Sequence, residues 1–258
     1  MVFASSPWAH RLDIPSINGI SQAMAAILYE QARIRLSGDR ALLVEYGDGI
    51  DPVINEKVRA MTTLLKRNLP AGVEAVIPAY RSLSIIYDPL VTNSARLAEI
   101  LYALEADFCA AEIAEAKVVP IPVCYGGEFG PDIGVVAEHT SLQEDEIVAI
   151  HASVDYPIYM IGFTPGFCYL GGLDRRLQTP RRKTPRTDLP AGSVGLAESQ
   201  TGIYPVDSPG GWQIIGRTPL RLFAPARENP FLYEAGDRIR FVPITEAEFG
   251  RLYEKEWS

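Results

Sequence analysis

Ten of the 21 glycines in this chain fall between Gly162 and Gly216, where an even spread would place about four or five. Glycine has no Cβ and reaches backbone conformations closed to other residues, so this density fixes turns and close approaches along one stretch of chain. The surrounding block, Met160 to Leu222, also carries Phe163, Phe167, Tyr169, Tyr204 and Trp212. A flexible linker is rich in serine and charge, whereas aromatic rings in this number are costly to leave in water. The block therefore reads as a shaped, packed surface built from short turns.

The 258 residues suffice for two domains of ordinary size, and a hydrophobic content of 47% suffices for a core. With 24 basic against 32 acidic side chains, the net charge is −8. Phosphate backbones and anionic membranes select basic surfaces, so neither nucleic acid nor a membrane is expected as a partner. Cys109, Cys124 and Cys168 are odd in number and widely spaced, with no Cys or His at ligand spacing beside them. They read as reduced thiols of a cytoplasmic protein, with neither a disulfide framework nor a metal site. No run approaches the roughly 18 apolar residues of a membrane span, and no signal-peptide pattern opens the chain.

Residues 1–32 lack a clear strand pattern and are expected to form an N-terminal extension. From Arg33, IRLSGDRALLVEYG predicts two extended runs about the turn Ser37-Gly38-Asp39. Asp51 and Pro52 suit an N-cap and first helical residue, and Ile54, Val58, Met61 and Leu65 follow at helical spacing. VEAVIPAY and SLSIIYD predict two strands, Leu97, Leu101 and Leu104 a second helix, and KVVPIPVCY a further strand. This order points to a ferredoxin-like domain over residues 33–120. Two short helices follow, one starting at Pro131 and one opened by a capping box at Ser141-Leu142-Gln143-Glu144. Beyond Tyr156 the short runs IYMIGF, GSVGLA, WQIIG, LRLFA and RIRFVPI, broken by Gly and Pro, predict a closed or nearly closed β-barrel. The barrel domain is assigned to residues 121–258, and the fold class is α+β.

Three sets of residues are candidates for chemistry. His151, one of three histidines, comes at the end of the second short helix, shortly before the glycine block, and suits acid–base work; equally, it suits a histidine that satisfies the last helical carbonyls. Arg175, Arg176, Arg181, Arg182, Lys183 and Arg186 gather cations in an acidic protein, stiffened by Pro180 and Pro185. They form either an anion pocket or a solvated loop. Gln200, Tyr204, Ser208, Trp212 and Gln213, among Gly202, Gly210 and Gly211, offer amides and hydroxyls beside an aromatic platform, which suits a small polar heterocycle or amide. Phe163 and Gly166 from the start of the block join this substrate-binding set. No G-x-S-x-G elbow, Walker loop or H-E-x-x-H string occurs, and Cys168 has no evident activating base.

Taken in order, MIGFTPGFCYLGGLD, TPRRKTPR, PAGSVG and QTGIYPVDSPGGWQIIGRTPLRLF resemble the allophanate hydrolase subunit 1 family, over roughly residues 33–245. That family includes histidine-kinase inhibitors of the Kip type and a component of a bacterial ATP-dependent 5-oxoprolinase. The resemblance implies a ferredoxin-like domain followed by a cyclophilin-like β-barrel. It implies a B-type component that is inactive alone and works with an allophanate hydrolase subunit 2 type (C) partner and a LamB/YcsF-type (A) partner. Such a complex opens the lactam of 5-oxo-L-proline to L-glutamate at the expense of ATP. A lactam is a poor electrophile, and phosphorylating its oxygen creates a leaving group and an activated carbon for water.

On the matching motifs, Arg182 and Arg186 are expected to clamp a phosphoryl group or the substrate carboxylate, and His151 to move a proton. Gln200, Tyr204 and Gln213 are expected to hold the lactam N–H and C=O. Cys168 and the Glu198-Ser199 step depart from the family pattern beside this site. The alternatives implied by the same resemblance are a Kip-like inhibitor of a histidine kinase and a component of a urea- or allophanate-processing enzyme. Prolyl isomerisation rests on fold analogy alone.

Overall fold

The computed structural model describes residues 26–106 and 116–257. The chain divides into two compact units, Met1–Ile113 and Ala114–Ser258. Cys109 and His10 lie outside the described residues.

In the first unit, strands β1 (Leu28–Leu36) and β2 (Ala41–Gly47) precede helix α1 (Pro52–Arg67). Strands β3 (Val73–Pro78) and β4 (Ser82–Tyr87) and helix α2 (Ser94–Ala106) follow. Asp51 caps α1 as its sequence context predicts, accepting from the N–H groups of Val53 and Ile54, with Pro52 in the first turn. The predicted stripe Ile54, Val58, Met61 and Leu65 is buried, as are Leu97 and Leu101 of α2. The sheet order is β1-β2-β4-β3, antiparallel throughout. The edge beside β2 is thus filled by β1, which starts at Leu28, inside the stretch expected to be an extension. It is not filled by the strand after α2.

That later strand, β5 (Val118–Tyr125), belongs to the second unit, and the expected boundary at residue 120 falls inside it. Its Ile121 and Val123 are buried in the second core, and it pairs in parallel with β13 (Arg238–Pro243). Between them come helices α3 (Ile133–Thr140) and α4 (Glu144–Ala152) and strands β6 (Asp155–Ile161) and β7 (Cys168–Leu170). Next are β8 (Arg186–Leu189), β9 (Ser193–Ala197), β10 (Gln200–Ile203), β11 (Ser208–Gly210) and β12 (Gln213–Arg217). Helix α5 (Glu246–Trp257) ends the described chain. Seven strands close a barrel in the order β10-β7-β6-β13-β5-β12-β9, and β8 pairs with β11 as a separate ribbon.

Two local expectations differ from what is observed. The capping box of α4 is formed by Gln143 and Glu146, not Ser141 and Glu144, because Ser141 takes a left-handed conformation that ends α3. LRLFA is not a strand; Phe223 makes only an isolated bridge to Phe231, whose ring stacks on it. Among the described residues no helix is long and apolar enough to cross a membrane, and no group of three or more His, Cys, Asp or Glu could hold a metal ion.

Candidate functional site: an aromatic cleft beside a pinned arginine loop

The segment leading into β8 holds the cation run, and its conformation is set by one carboxylate. Asp132, at the start of α3, is buried, and its side chain leaves the helix cap to meet this segment. It accepts from Arg182 Nη1 at 2.8 Å, from Arg186 Nη1 and Nη2 at 2.7 and 2.8 Å, and from the Ile214 N–H at 2.7 Å. Burial pushes the Asp132 carboxyl up. The Arg186 hydrogen bonds, the Ile214 N–H and the charges of Arg186 and Arg182 outweigh it and hold the group below the usual carboxylate range. The backbone is held as well: Gln213 Nε2 donates to the Pro180 carbonyl at 3.0 Å, and the Arg182 N–H donates to Gly211 O at 2.8 Å.

Arg182 and Arg186, expected to clamp a ligand anion, are both turned to Asp132, where they pin the loop. Asp132 fixes the orientation of both guanidinium groups, the trio keeps a net positive charge, and neither arginine lines the cleft described next. Arg181, between the two pins at Pro180 and Arg182, is exposed and lines a cleft with Phe163, Phe167, Tyr169, Tyr204, Pro209, Gly210, Gly211 and Trp212.

The cleft walls are a cluster of edge-on rings around Phe167. Phe163, Tyr169, Tyr204 and Trp212 meet it with centroid separations of 5.7, 4.9, 5.4 and 5.6 Å. Glycine makes this packing possible at Gly210, where an added Cβ would lie 2.5 Å from both Tyr204 Oη and Leu189 Cδ1. Tyr204 is buried, which pushes its hydroxyl up to about 12, opposed by the Trp212 backbone N–H and by the Arg181 charge. Phe163 stands at the rim, 68% exposed and at φ +69°, a left-handed conformation rare for a bulky residue and characteristic of ligand clamps and other functional turns. The cleft encloses about 140 Å³. That is close to the roughly 150 Å³ of a cavity that takes benzene and below the roughly 300 Å³ at which sites for drug-sized ligands begin.

His151 lies elsewhere. It is fully buried in the barrel unit, stacked on Phe241 at 4.4 Å. Its Nδ1 is 2.8 Å from Tyr125 Oη and its Nε2 2.8 Å from Thr201 Oγ1. Thr201 donates onward to Gly195 O at 3.2 Å, which leaves its oxygen to accept from Nε2–H and leaves Nδ1 to accept from the Tyr125 hydroxyl. Burial lowers the imidazole to about 3, so it stays neutral. The proton-transfer role expected of His151 is withdrawn. Nor does the helical-carbonyl alternative describe it, since both ring nitrogens face side chains.

Of the substrate-binding set, Phe163, Tyr204 and Trp212 come together in the cleft. Gln213 is turned to the Pro180 carbonyl, and its Oε1 is buried without a partner among the described residues, as is Ser208 Oγ. Gly166 lies in the β6–β7 turn and its carbonyl accepts from Tyr233 Oη at 2.7 Å. Gln200 starts β10 and does not line the cleft. Cys168 is buried and its thiol is pushed up to about 11, so it is no nucleophile. Sequence reasoning missed Asp132, and it named Arg181 only as one of six cations of a candidate anion pocket. No local signal marked either one, since the carboxylate and the arginines it holds are 50 or more residues apart.

Residues 32–233 match the family model of the carboxyltransferase domain, subdomain C and D. The chain is 41% identical to the 5-oxoprolinase B subunit of Bacillus subtilis over 234 residues, 87% of this chain and 97% of the relative. It is 41% identical to the Escherichia coli O157:H7 protein of the same name over 217 residues, 84% and 98% of the two chains. Urea amidolyase of Saccharomyces cerevisiae is more distant, at 24% over 266 residues, which make up 14% of that protein. Among solved structures, TTHA0988 superposes with a TM-score of 0.73 at 38% identity, covering 80% of this chain; the chain spans 40% of that protein's length. The motifs of the glycine block, the barrel they build and this match across both units make the chain a member of the carboxyltransferase subdomain C and D family, in the branch that holds the B subunits of 5-oxoprolinase.

Proposed function

We propose that this chain is the B component of an ATP-dependent hydrolase that opens 5-oxo-L-proline to L-glutamate, and that its aromatic cleft receives the lactam ring. The observation that carries this reading is 41% identity to the B subunit of 5-oxoprolinase along nearly the whole of that protein. The cleft is consistent with it: apolar rings on several sides suit a five-membered ring, and about 140 Å³ suits a molecule near the size of benzene. A nucleotide is larger than that space, so the cleft is assigned to the lactam and not to the ATP that the complex consumes. The partners are an allophanate hydrolase subunit 2 type (C) chain and a LamB/YcsF-type (A) chain, and the complex is cytoplasmic, in keeping with the free thiols of Cys124 and Cys168. In this reading the first unit is a ferredoxin-like sheet with its last strand replaced by β1, and the barrel is of cyclophilin-like type.

Within the complex this chain binds and orients. Neither His151 nor Cys168 reaches the cleft, so water activation and phosphoryl transfer fall to groups from the partners. The test is omission: the three chains together release glutamate from 5-oxoproline with ATP consumed, and removing this chain abolishes that. Full activity of the other two chains alone, or turnover of urea in place of 5-oxoproline by the three, sinks the reading.

A further inference from the structure

An aromatic cleft ordinarily favours cations, which are drawn to the faces of the rings. This one is built against them. Its single charged lining residue is Arg181, and no carboxylate lines it. Among the described residues Arg181 makes no ion pair, whereas Arg182 and Arg186 on the same loop are taken by Asp132. The loop is also fixed on both sides of Arg181, through the Pro180 carbonyl to Gln213 and the Arg182 N–H to Gly211. The unpaired guanidinium thus reaches the cleft from a fixed backbone, so the side chain alone remains to be ordered when an anion arrives.

We propose that Arg181 is the carboxylate anchor of the cleft, so that the ligand of this chain is a small ring bearing a carboxylate, the ring lying against Phe167 and Trp212 and the carboxylate meeting the guanidinium. This rests on the 5-oxoproline reading for the identity of the ring, but the requirement for an anion does not. The planar fork of arginine matches the two carboxylate oxygens. Arg181 lines the cleft together with Tyr169 and Tyr204, whose hydroxyls burial pushes up and the Arg181 charge opposes. A neutral lactam of the same size would leave the guanidinium unanswered.

The test compares wild type with Arg181→Gln, Arg181→Lys and the exposed neighbour Lys183→Gln in the assembled three-chain complex. Arg181→Gln is expected to raise KM for 5-oxoproline roughly tenfold to a hundredfold, the range for losing a charged hydrogen bond. Arg181→Lys recovers part of the loss, and Lys183→Gln matches wild type. Cyclopentanecarboxylate, which keeps the carboxylate and lacks the amide, inhibits wild type and loses at least tenfold in potency against Arg181→Gln. 2-Pyrrolidinone, the ring amide without the carboxylate, affects both alike. An unchanged KM in Arg181→Gln, or equal inhibition of both proteins by cyclopentanecarboxylate, overturns the proposal. If the wild-type complex does not act on 5-oxoproline, the functional reading fails separately. Calorimetric titration of the chain with cyclopentanecarboxylate then decides: binding weakened at least tenfold by Arg181→Gln supports the anchor, and no binding to wild type rejects it.

Discussion

His151 illustrates how a chemically capable side chain is silenced by its surroundings. Fully buried, hydrogen-bonded at both nitrogens and stacked on Phe241, it holds its proton count fixed through the physiological range. The consequence is measurable as stability. An unfolded chain takes up a proton at this histidine near its ordinary value of 6.5, while the folded chain does so only at about 3. Between those values the unfolded state binds more protons, so stability falls as pH drops, by ~1.4 kcal/mol per unit for this group. Urea unfolding at pH 7, 6 and 5 checks this. Wild type is expected to lose stability more steeply than His151→Gln below pH 6.5, and equal slopes would show that the imidazole ionises in the folded protein. Residue type and position made His151 the leading sequence candidate. What the sequence could not show was Tyr125 and Thr201, brought to its two nitrogens from strands on either side in the chain.

At the scale of elements, the arginine loop and α3 act as one unit through Asp132. Replacing Asp132 by Asn leaves two guanidinium groups without their shared partner, and about 3 kcal/mol of stability is expected to be lost, because the partner removed is buried while the arginines keep some access to water. The loop should also open locally, so limited trypsin digestion at Arg181–Arg186 separates the two proteins: wild type resists, and Asp132→Asn is nicked there. Equal resistance would mean that Pro180 and Pro185 alone fix the loop. The cation run was visible in the sequence, but which arginine faces the cleft was not. That choice depends on a carboxylate 50 residues upstream of Arg182, a pairing that no local pattern encodes. The strands were legible for the opposite reason, since period-two burial is local. Alternation marked β2, and β4 shows it in its burial, yet it carries no information about partners. VVPIPVCY accordingly read as a strand of the first sheet, although its neighbours are β12 and β13.

For the whole molecule, the second of two compact units carries the cleft that the proposed function reads as a binding surface. The turns of the glycine block bring Phe163, Phe167, Tyr169, Tyr204 and Trp212 around one small cleft, and its arginine loop adds Arg181 to the lining. The most direct measurement is a crystal structure of the three-chain complex soaked with 5-oxoproline. The account predicts density for the ring between Phe167 and Trp212, with the carboxylate within hydrogen-bond distance of Arg181. Ordered 5-oxoproline bound elsewhere in the complex, with this cleft holding only water, would contradict it.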